Sequence, residues 1–267
     1  MRKAKAMMVL VLTLTLLTAV TATAGPVLDR IVQKGELVVG TSGNQPPLTV
    51  KTKEGKIIGV DADLSRMMAA AMGVELKFEV MPFAELLPAL EAGKIDMILS
   101  GMTITPERNM RVAFAGPYYI TGKGILTKSH TVASFQDSTQ INKPDFIIVA
   151  LKGSTSQMFV QNLIPKAKLI TTETLDEAID ILIKDKAHAL VADYPTCAVA
   201  AFRHSGKGLA VGKARFTFEP LGIALSENDL LLVNLVQNIL GMLKGTGDLD
   251  KLMERWFEDA SWMKQLP

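Results

Sequence analysis

The sequence predicts an α/β protein made of two units of similar build, and two observations carry this prediction. From residue 36 onward, short apolar runs typical of buried strands alternate with stretches whose apolar residues recur at helical spacing. The segments EAGKIDMILSG (residues 91–101) and LIKDKAHALVAD (residues 182–193) also resemble each other, because each runs from a helix end through a lysine into a strand. Strands that alternate with helices form mainly parallel sheets, so we expect two lobes that face each other across a cleft.

The first unit should alternate strands and helices throughout. Its predicted strands cover residues 37–40, 56–60, 76–80 and 95–99, and its predicted helices cover residues 61–73 and 83–93. Asp61 suits the N-cap of the first helix, and Gly73 suits the position just beyond its end. Because ligands bind such sheets beyond the carboxyl ends of the strands, we expect a site near the loops 42–47 and 100–105.

The second unit repeats this pattern before the chain returns. The predicted elements are strands over residues 146–150, 168–171 and 188–192, an extended stretch over 216–225, and helices over 157–163, 175–184, 230–243 and 249–257. The segment from Thr174 to Glu177 is a capping box at the start of a helix. The last two helices should cross back to the first unit, where Trp256, Phe257 and Trp262 are expected to pack rather than to bind a ligand.

Residues 1–24 have the features of a cleaved signal peptide. Three basic residues lie within the first five positions, an apolar run follows over residues 7–20, and Ala-Thr-Ala stands at 22–24. The apolar run is too short to span roughly 30 Å of hydrocarbon at about 1.5 Å per residue. We therefore expect export and a soluble periplasmic protein.

The charge balance and the motifs exclude several functions. The chain has 29 Lys and Arg and 27 Asp and Glu residues, so loss of the three basic residues of the leader leaves 26 against 27 and gives no case for nucleic acid. The three histidines lack metal-type spacing, and no phosphate-binding or dinucleotide-binding loop is present. The single cysteine, Cys197, cannot form an intrachain disulfide. We expect no metal, no cofactor and no catalytic residue.

The segment SGMTITPERN (residues 100–109) places a cation where a helix should begin. Thr105 suits the N-cap and Pro106 the first helical position, so Arg108 falls in the first turn. There the helix dipole disfavours a cation by up to about 1 kcal/mol. Arg108 is therefore either a solvated surface residue or part of an anion site with the Thr103 hydroxyl and backbone N–H groups. Local sequence leaves both alternatives open.

Four segments carry a resemblance to a known family: GKIIGVDADL, ELLPALEAGKIDMILSGMTITPER, VAFAGPYY and DKLMERWF. In this order they resemble the extracellular solute-binding protein family 3, the periplasmic polar amino-acid receptors of ABC importers. The resemblance covers nearly all of the mature chain and implies the type II periplasmic-binding-protein fold. Its two lobes would be residues 25–120 with 218–267, and residues 121–217, joined by two hinge strands. It further implies a monomer that closes over an amino acid and docks on a membrane permease.

The resemblance also implies roles for single residues. For the carboxylate of a bound amino acid it implies Arg108, Thr103, Thr155 and Ser154, and for the ammonium group it implies Asp193, Gly101 and Thr103. Phe83 would form an aromatic wall of the side-chain pocket. The residues alone leave other readings open, since Asp193 could cap a helix, Phe83 could be core, and Ser100 with Gly101 could form a tight strand exit.

The sequence departs from the family pattern in the side-chain pocket. Ser42 stands where the family often has an acid, and Gln45 and Leu48 stand where it often has aromatic residues. We therefore predict a neutral ligand, polar or modestly apolar, with Ser42, Gln45 and Phe83 among the residues that decide which one.

Two other functions remain open at this point. The resemblance extends to cyclohexadienyl dehydratases, which would need a general acid or base in the cleft, and the candidates are Glu85, Glu173 and Asp193. The protein could also report its ligand to a receptor instead of a transporter, which the neighbouring genes would reveal.

Overall fold

Two five-stranded sheets organise the computed structural model, which describes residues 25–266. The predicted signal peptide lies outside these residues. The strands are β1 (Glu36–Thr41), β2 (Asn44–Gln45), β3 (Thr49–Lys51), β4 (Ile57–Ile58), β5 (Glu75–Val80), β6 (Met97–Ile98), β7 (Ala113–Thr121), β8 (Lys123–Thr127), β9 (Ile147–Leu151), β10 (Lys168–Thr172), β11 (Ala189–Asp193), β12 (Ala210–Val211) and β13 (Glu219–Leu225). The helices are α1 (Pro26–Lys34), α2 (Val60–Met72), α3 (Phe83–Glu91), α4 (Pro106–Asn109), α5 (His130–Ala133), α6 (Thr155–Leu163), α7 (Leu175–Ile183), α8 (Tyr194–Arg203), α9 (Leu230–Gly245) and α10 (Asp248–Phe257).

Each sheet has a parallel part and an antiparallel part. The first has the order β5-β1-β6-β13-β7, in which β5, β1 and β6 are parallel and β13 is antiparallel to both of its neighbours. The second has the order β10-β9-β11-β8-β12, in which β10, β9 and β11 are parallel. A small antiparallel sheet, β2-β3-β4, accompanies the first. The predicted α/β class is confirmed, and the antiparallel strands are those next to the passages between the sheets.

The chain passes between the two sheets twice, and the two passages lie side by side. Only Gly122 separates β7 of the first sheet from β8 of the second, and residues 212–218 lead back from β12 to β13. Hydrogen bonds join the passages, because Lys123 N donates to Thr217 Oγ1 (3.0 Å) and Phe216 N donates to Lys123 O (2.9 Å). A Cβ at Gly122 would lie 2.4 Å from Thr217 O, so the close approach requires glycine there.

Several local predictions are confirmed and one is wrong. Thr174 and Glu177 form the predicted capping box of α7, and Thr105 Oγ1 accepts from Arg108 N (3.2 Å) at the start of α4. The prediction for Asp61 is wrong: the N-cap of α2 lies two residues earlier, at Gly59, and the predicted strand over 56–60 shrinks to β4. Asp61 is thereby placed inside the first turn, where it is buried.

The C-terminal helices pack on the first sheet, as predicted. Trp256 and Trp262 are buried in the same hydrophobic cluster as Leu37 and Val39 of β1, with their ring centroids 5.3 Å apart. Trp256 Nε1 donates to Asp63 of α2 (2.9 Å). The described residues therefore begin and end against the first sheet.

Candidate ligand-binding cleft

A small cavity lies between the two units, where the carboxyl ends of β6, β9 and β11 converge. Both units line it, through Gln45, Phe83, Gly101, Thr103, Arg108, Lys123, Leu151, Ser154, Thr155, Ser156, Leu175, Ala192 and Asp193. Eight of the ten predicted site residues are in this set, and the other two, Ser42 and Ser100, contact Gln45. The cavity has a volume of about 20 Å³, enough for roughly one water molecule. A solute can enter only if the two units move apart or the side chains rearrange.

Arg108 is a buried arginine that links the two units. Its guanidinium donates from Nη1 to Thr103 O (2.8 Å) and from Nη2 to Gly153 O of the second unit (3.1 Å), and its Cζ lies 5.6 Å from the ring centroid of Phe83. Burial lowers its pKa to about 10, against the opposing charges of Glu219 and Asp193. Arg108 is therefore protonated at neutral pH, and it is not a solvated surface residue.

Thr103 and Thr155 come from the two units and bind the same carboxylate, that of Glu219, which the sequence did not indicate. Their hydroxyls are 3.3 Å apart, and both donate to Glu219 Oε2, at 2.8 and 2.9 Å. Thr217 donates to the other oxygen (2.7 Å). Burial raises the pKa of Glu219, but the charge of Lys123 and these three hydrogen bonds outweigh it, so the net pKa is lowered.

Lys123 is the second residue of the cleft that sequence reasoning missed. It faces Asp193 in the antiparallel pairing of β8 with β11, and its side chain is only 2% exposed. Its Nζ lies 2.5 Å from Asp193 Oδ1 and 3.4 Å from Glu219 Oε2. Asp193 stands at the N-cap of α8, yet its side chain makes no capping hydrogen bond. Its carboxylate faces the cleft and not the helix.

Ser42, Ser100 and Gln45 form a hydrogen-bonded group at the first-sheet side of the cavity. Ser42 N donates to Ser100 Oγ (2.9 Å), and the two hydroxyl oxygens are also 2.9 Å apart. Gln45 Nε2 donates to Ser42 Oγ (3.1 Å) and to Ser100 O (3.3 Å). The two serines thus fix the amide of Gln45, which lines the cavity without a charge.

Behind Gly101 lies a buried carboxylate, Asp61. Gly101 N donates to Asp61 Oδ2 (2.6 Å), and Tyr118 Oη donates to Asp61 Oδ1 (2.7 Å). Burial raises the pKa of Asp61 to about 7, although these two hydrogen bonds oppose the change. Gly101 itself has a φ of 59°, and an added Cβ would lie 2.7 Å from Leu48 Cδ1. Asp61 therefore holds the loop that carries Gly101 in a conformation that requires glycine.

The candidate acids for an enzymatic reaction are spread apart. The side chain of Glu173 is 47% exposed and pairs with Lys152 (2.6 Å), while Asp193 pairs with Lys123. Besides Asp193, the acidic residues that the fold buries near the cleft are Glu219 and Asp61, which were not among the candidates. Within residues 25–266, no group of three His, Cys, Asp or Glu side chains could hold a metal ion, and no helix has the length and apolar character needed to cross a membrane.

Two α/β units, linked by two adjacent passages and enclosing a polar cleft, define a protein of the type II periplasmic binding class. The family described as bacterial extracellular solute-binding proteins, family 3, matches residues 37–259, and the chain belongs to this family. The crystal structure of the ancestral amino acid-binding protein AncCDT-1, a precursor of cyclohexadienyl dehydratase, is 37% identical and superimposes with a TM-score of 0.79, covering 86% of this chain and 99% of that one.

Two curated relatives show the range of the family. The ABC transporter arginine-binding protein 1 of Escherichia coli is 28% identical over 224 residues, covering 82% of this chain and 89% of the relative. The cyclohexadienyl dehydratase of Pseudomonas aeruginosa is 25% identical over 231 residues, covering 86% of each. The family is described by solute binding, and one relative is named as an enzyme.

Proposed function

We propose that this chain is a periplasmic solute-binding protein that captures an amino acid, or a related small carboxylate, and delivers it to an ABC permease. Residues 25–120 with 218–267 and residues 121–217 act as two lobes that close over the solute. A solute that binds the closed form better than the open form shifts the population toward closure, and the closed form docks on the permease. The relatives named as ABC transporter binding proteins and the leader-like residues 1–24 support transport from the periplasm.

The observation that carries the proposal is the buried guanidinium of Arg108. An arginine has five N–H donors. In Arg108, Nη1 donates to Thr103 O and Nη2 donates to Gly153 O. The remaining donors have no carboxylate within the salt-bridge distance in the described chain. A planar carboxylate that accepts two parallel hydrogen bonds is the ligand group that fits such a side chain.

The residues at the side-chain end of the cleft support a neutral solute. Ser42 and Gln45 are uncharged, and Phe83 is apolar. Asp193 is the one carboxylate that lines the cavity within the described residues, and it already pairs with Lys123. A cationic side chain such as that of arginine would find no unpaired carboxylate there. We propose a neutral side chain, in contrast to the relative named for arginine.

The test is calorimetric titration of the mature chain with the standard amino acids and related small carboxylates. We expect one class of these to bind, and Arg108→Ala to weaken its binding at least about a hundredfold, because two charged hydrogen bonds contribute roughly 1.5 to 3 kcal/mol each. Arg111→Ala is the matched control, since Arg111 pairs with Glu91 on the surface. No binding in the panel, or full binding by a folded Arg108→Ala variant, would contradict the proposal.

The second candidate is an enzyme of the cyclohexadienyl dehydratase kind. The relative of that name and the buried cluster of Lys123, Asp193 and Glu219 favour it, because a buried acid beside a cation can serve in proton transfer. A turnover assay with cyclohexadienyl substrates decides between the two functions. Product formation that is lost in Asp193→Asn and Glu219→Gln would establish the enzyme.

A further inference from the structure

The ammonium group of Lys123 already occupies the place that a bound amino acid would need. Asp193 is the residue whose carboxylate is expected to receive the ammonium of the solute. In the structure it receives Lys123 Nζ at 2.5 Å, and the lysine side chain is 2% exposed. Both side chains line the cavity, together with Arg108. A solute ammonium at Asp193 would therefore stand next to a second, buried ammonium.

Glu219 does not provide an alternative carboxylate for the solute. It is not among the residues that line the cavity, and it lies behind the hydroxyls of Thr103 and Thr155. Thr217 donates to its Oε1, and Lys123 Nζ lies 3.4 Å from its Oε2. Its acceptor positions are thus taken up by groups of the protein, and its negative charge acts on both Lys123 and Arg108.

Two cations and one carboxylate line the cavity itself. Arg108 and Lys123 are cations, and Asp193 is the carboxylate that faces them. A zwitterion carries no net charge, whereas a carboxylate with an uncharged oxygen beside it carries one negative charge. The monoanion can contact both lining cations with negatively charged or uncharged oxygens, and like-charge contact with Lys123 disfavours the ammonium of the zwitterion.

The ammonium of Lys123 also has an N–H donor that is available to the solute. A lysine has three N–H donors and no acceptor. One is directed to Asp193, and a second lies near Glu219. The third is available to an oxygen of the solute, while Arg108 binds the carboxylate.

We propose that the solute is a small carboxylic acid with a hydroxyl or oxo oxygen, not an ammonium group, on the carbon next to the carboxylate, and that Lys123 selects it. This inference rests on the proposed function and narrows its ligand class to 2-hydroxy and 2-oxo acids. The ammonium of Lys123 pairs with Asp193 and so excludes the ammonium of an amino acid. The same lysine donates to the hydroxyl or oxo oxygen of the corresponding 2-hydroxy or 2-oxo acid.

The test is a titration of the mature chain with sets of compounds that share one side chain. Each amino acid is compared with the 2-oxo and 2-hydroxy acids that carry the same side chain. For the side chain that binds best, we expect an oxygen analogue to bind at least tenfold more tightly than the amino acid. Lys123→Met should reduce this preference at least tenfold, because Asp193 is then free for an ammonium group, whereas Lys128→Met, which alters a surface lysine paired with Asp185, should keep it.

The outcomes separate this inference from the proposed function. If the wild-type chain binds amino acids as tightly as their oxygen analogues, or more tightly, the inference is overturned and the proposed function stands. If it binds neither group, the proposed function is overturned as well. The comparison on the wild-type chain needs no variant, so it decides the matter even if Lys123→Met fails to fold.

Discussion

The buried carboxyl group of Asp61 should make the protein less stable as the pH rises from 5 to 8. Burial raises its pKa from 3.8 to about 7, so the folded state holds a proton that the unfolded state releases. The sign follows from linkage: where the folded state binds more protons, the free energy of unfolding falls with increasing pH. The contribution of the Asp61 carboxyl group to the free energy of unfolding is largest below pH 3.8, declines up to about pH 7, and is constant above that.

The expected magnitude follows from the same pKa. One pKa unit corresponds to about 1.4 kcal/mol, so between pH 5 and pH 8 the ionisation of Asp61 should cost about 3 kcal/mol of stability. For a chain of this size, that is a fall in melting temperature of roughly 6 to 12 °C. Asp61→Asn removes the titration and can keep both contacts, because its amide oxygen can accept from Gly101 N while its amide nitrogen donates to Tyr118.

The assay is urea unfolding of the wild-type chain and of Asp61→Asn at pH 5 and pH 8. The wild-type chain should lose about 3 kcal/mol more than the variant between the two pH values. Asp250→Asn, which changes an exposed carboxylate, serves as the control and should follow the wild-type chain. An equal pH dependence in wild type and Asp61→Asn would refute the reasoning, since it would mean that the two hydrogen bonds outweigh burial.

Three further predictions concern stability and reactivity. Asp229→Ala should lower the free energy of unfolding by about 2 kcal/mol, because this carboxylate caps α9 and also accepts from two N–H groups at the start of α1; an unchanged urea midpoint would contradict this. Gly101→Ala should cost about 1 to 2 kcal/mol, since its φ of 59° and the contact with Leu48 disfavour a side chain, and a wild-type melting temperature would show otherwise. Cys197 should resist iodoacetamide in the folded protein, because it is buried and burial raises the pKa of its thiol to about 12; rapid labelling seen by mass spectrometry would contradict the packing around α8.

The elements that sequence predicts well are those with local signals. The capping box before α7 and the Thr105 cap before α4 depend on residues three positions apart, and both are present in the structure. By contrast, β7 and β8 were not predicted, because glycines and a proline, among them Pro117 and Gly122, interrupt the apolar alternation. The predicted N-cap of α2 was two residues too late, which was enough to assign a capping role to the buried carboxylate of Asp61.

The same distinction holds for the cleft. Arg108 and Thr103 were candidates because both lie in the segment SGMTITPERN, part of which also carries the family resemblance that implies their roles. Lys123 and Glu219 were missed because their roles arise from pairings between distant segments: Lys123 meets Asp193 across 70 residues, and Glu219 meets Thr103 across 116. These pairings are set by the register of β8 with β11 and by the return passage before β13. Nothing in the sequence near either residue indicates them.

The central claim is that Arg108 binds the carboxylate of a solute enclosed between the two lobes. A crystal structure of the mature chain with its bound solute tests this most directly. We predict a carboxylate about 2.7 to 2.9 Å from the guanidinium nitrogens of Arg108, in the cleft that both lobes line. A solute bound elsewhere, or one in the cleft whose carboxylate does not contact Arg108, would contradict the account.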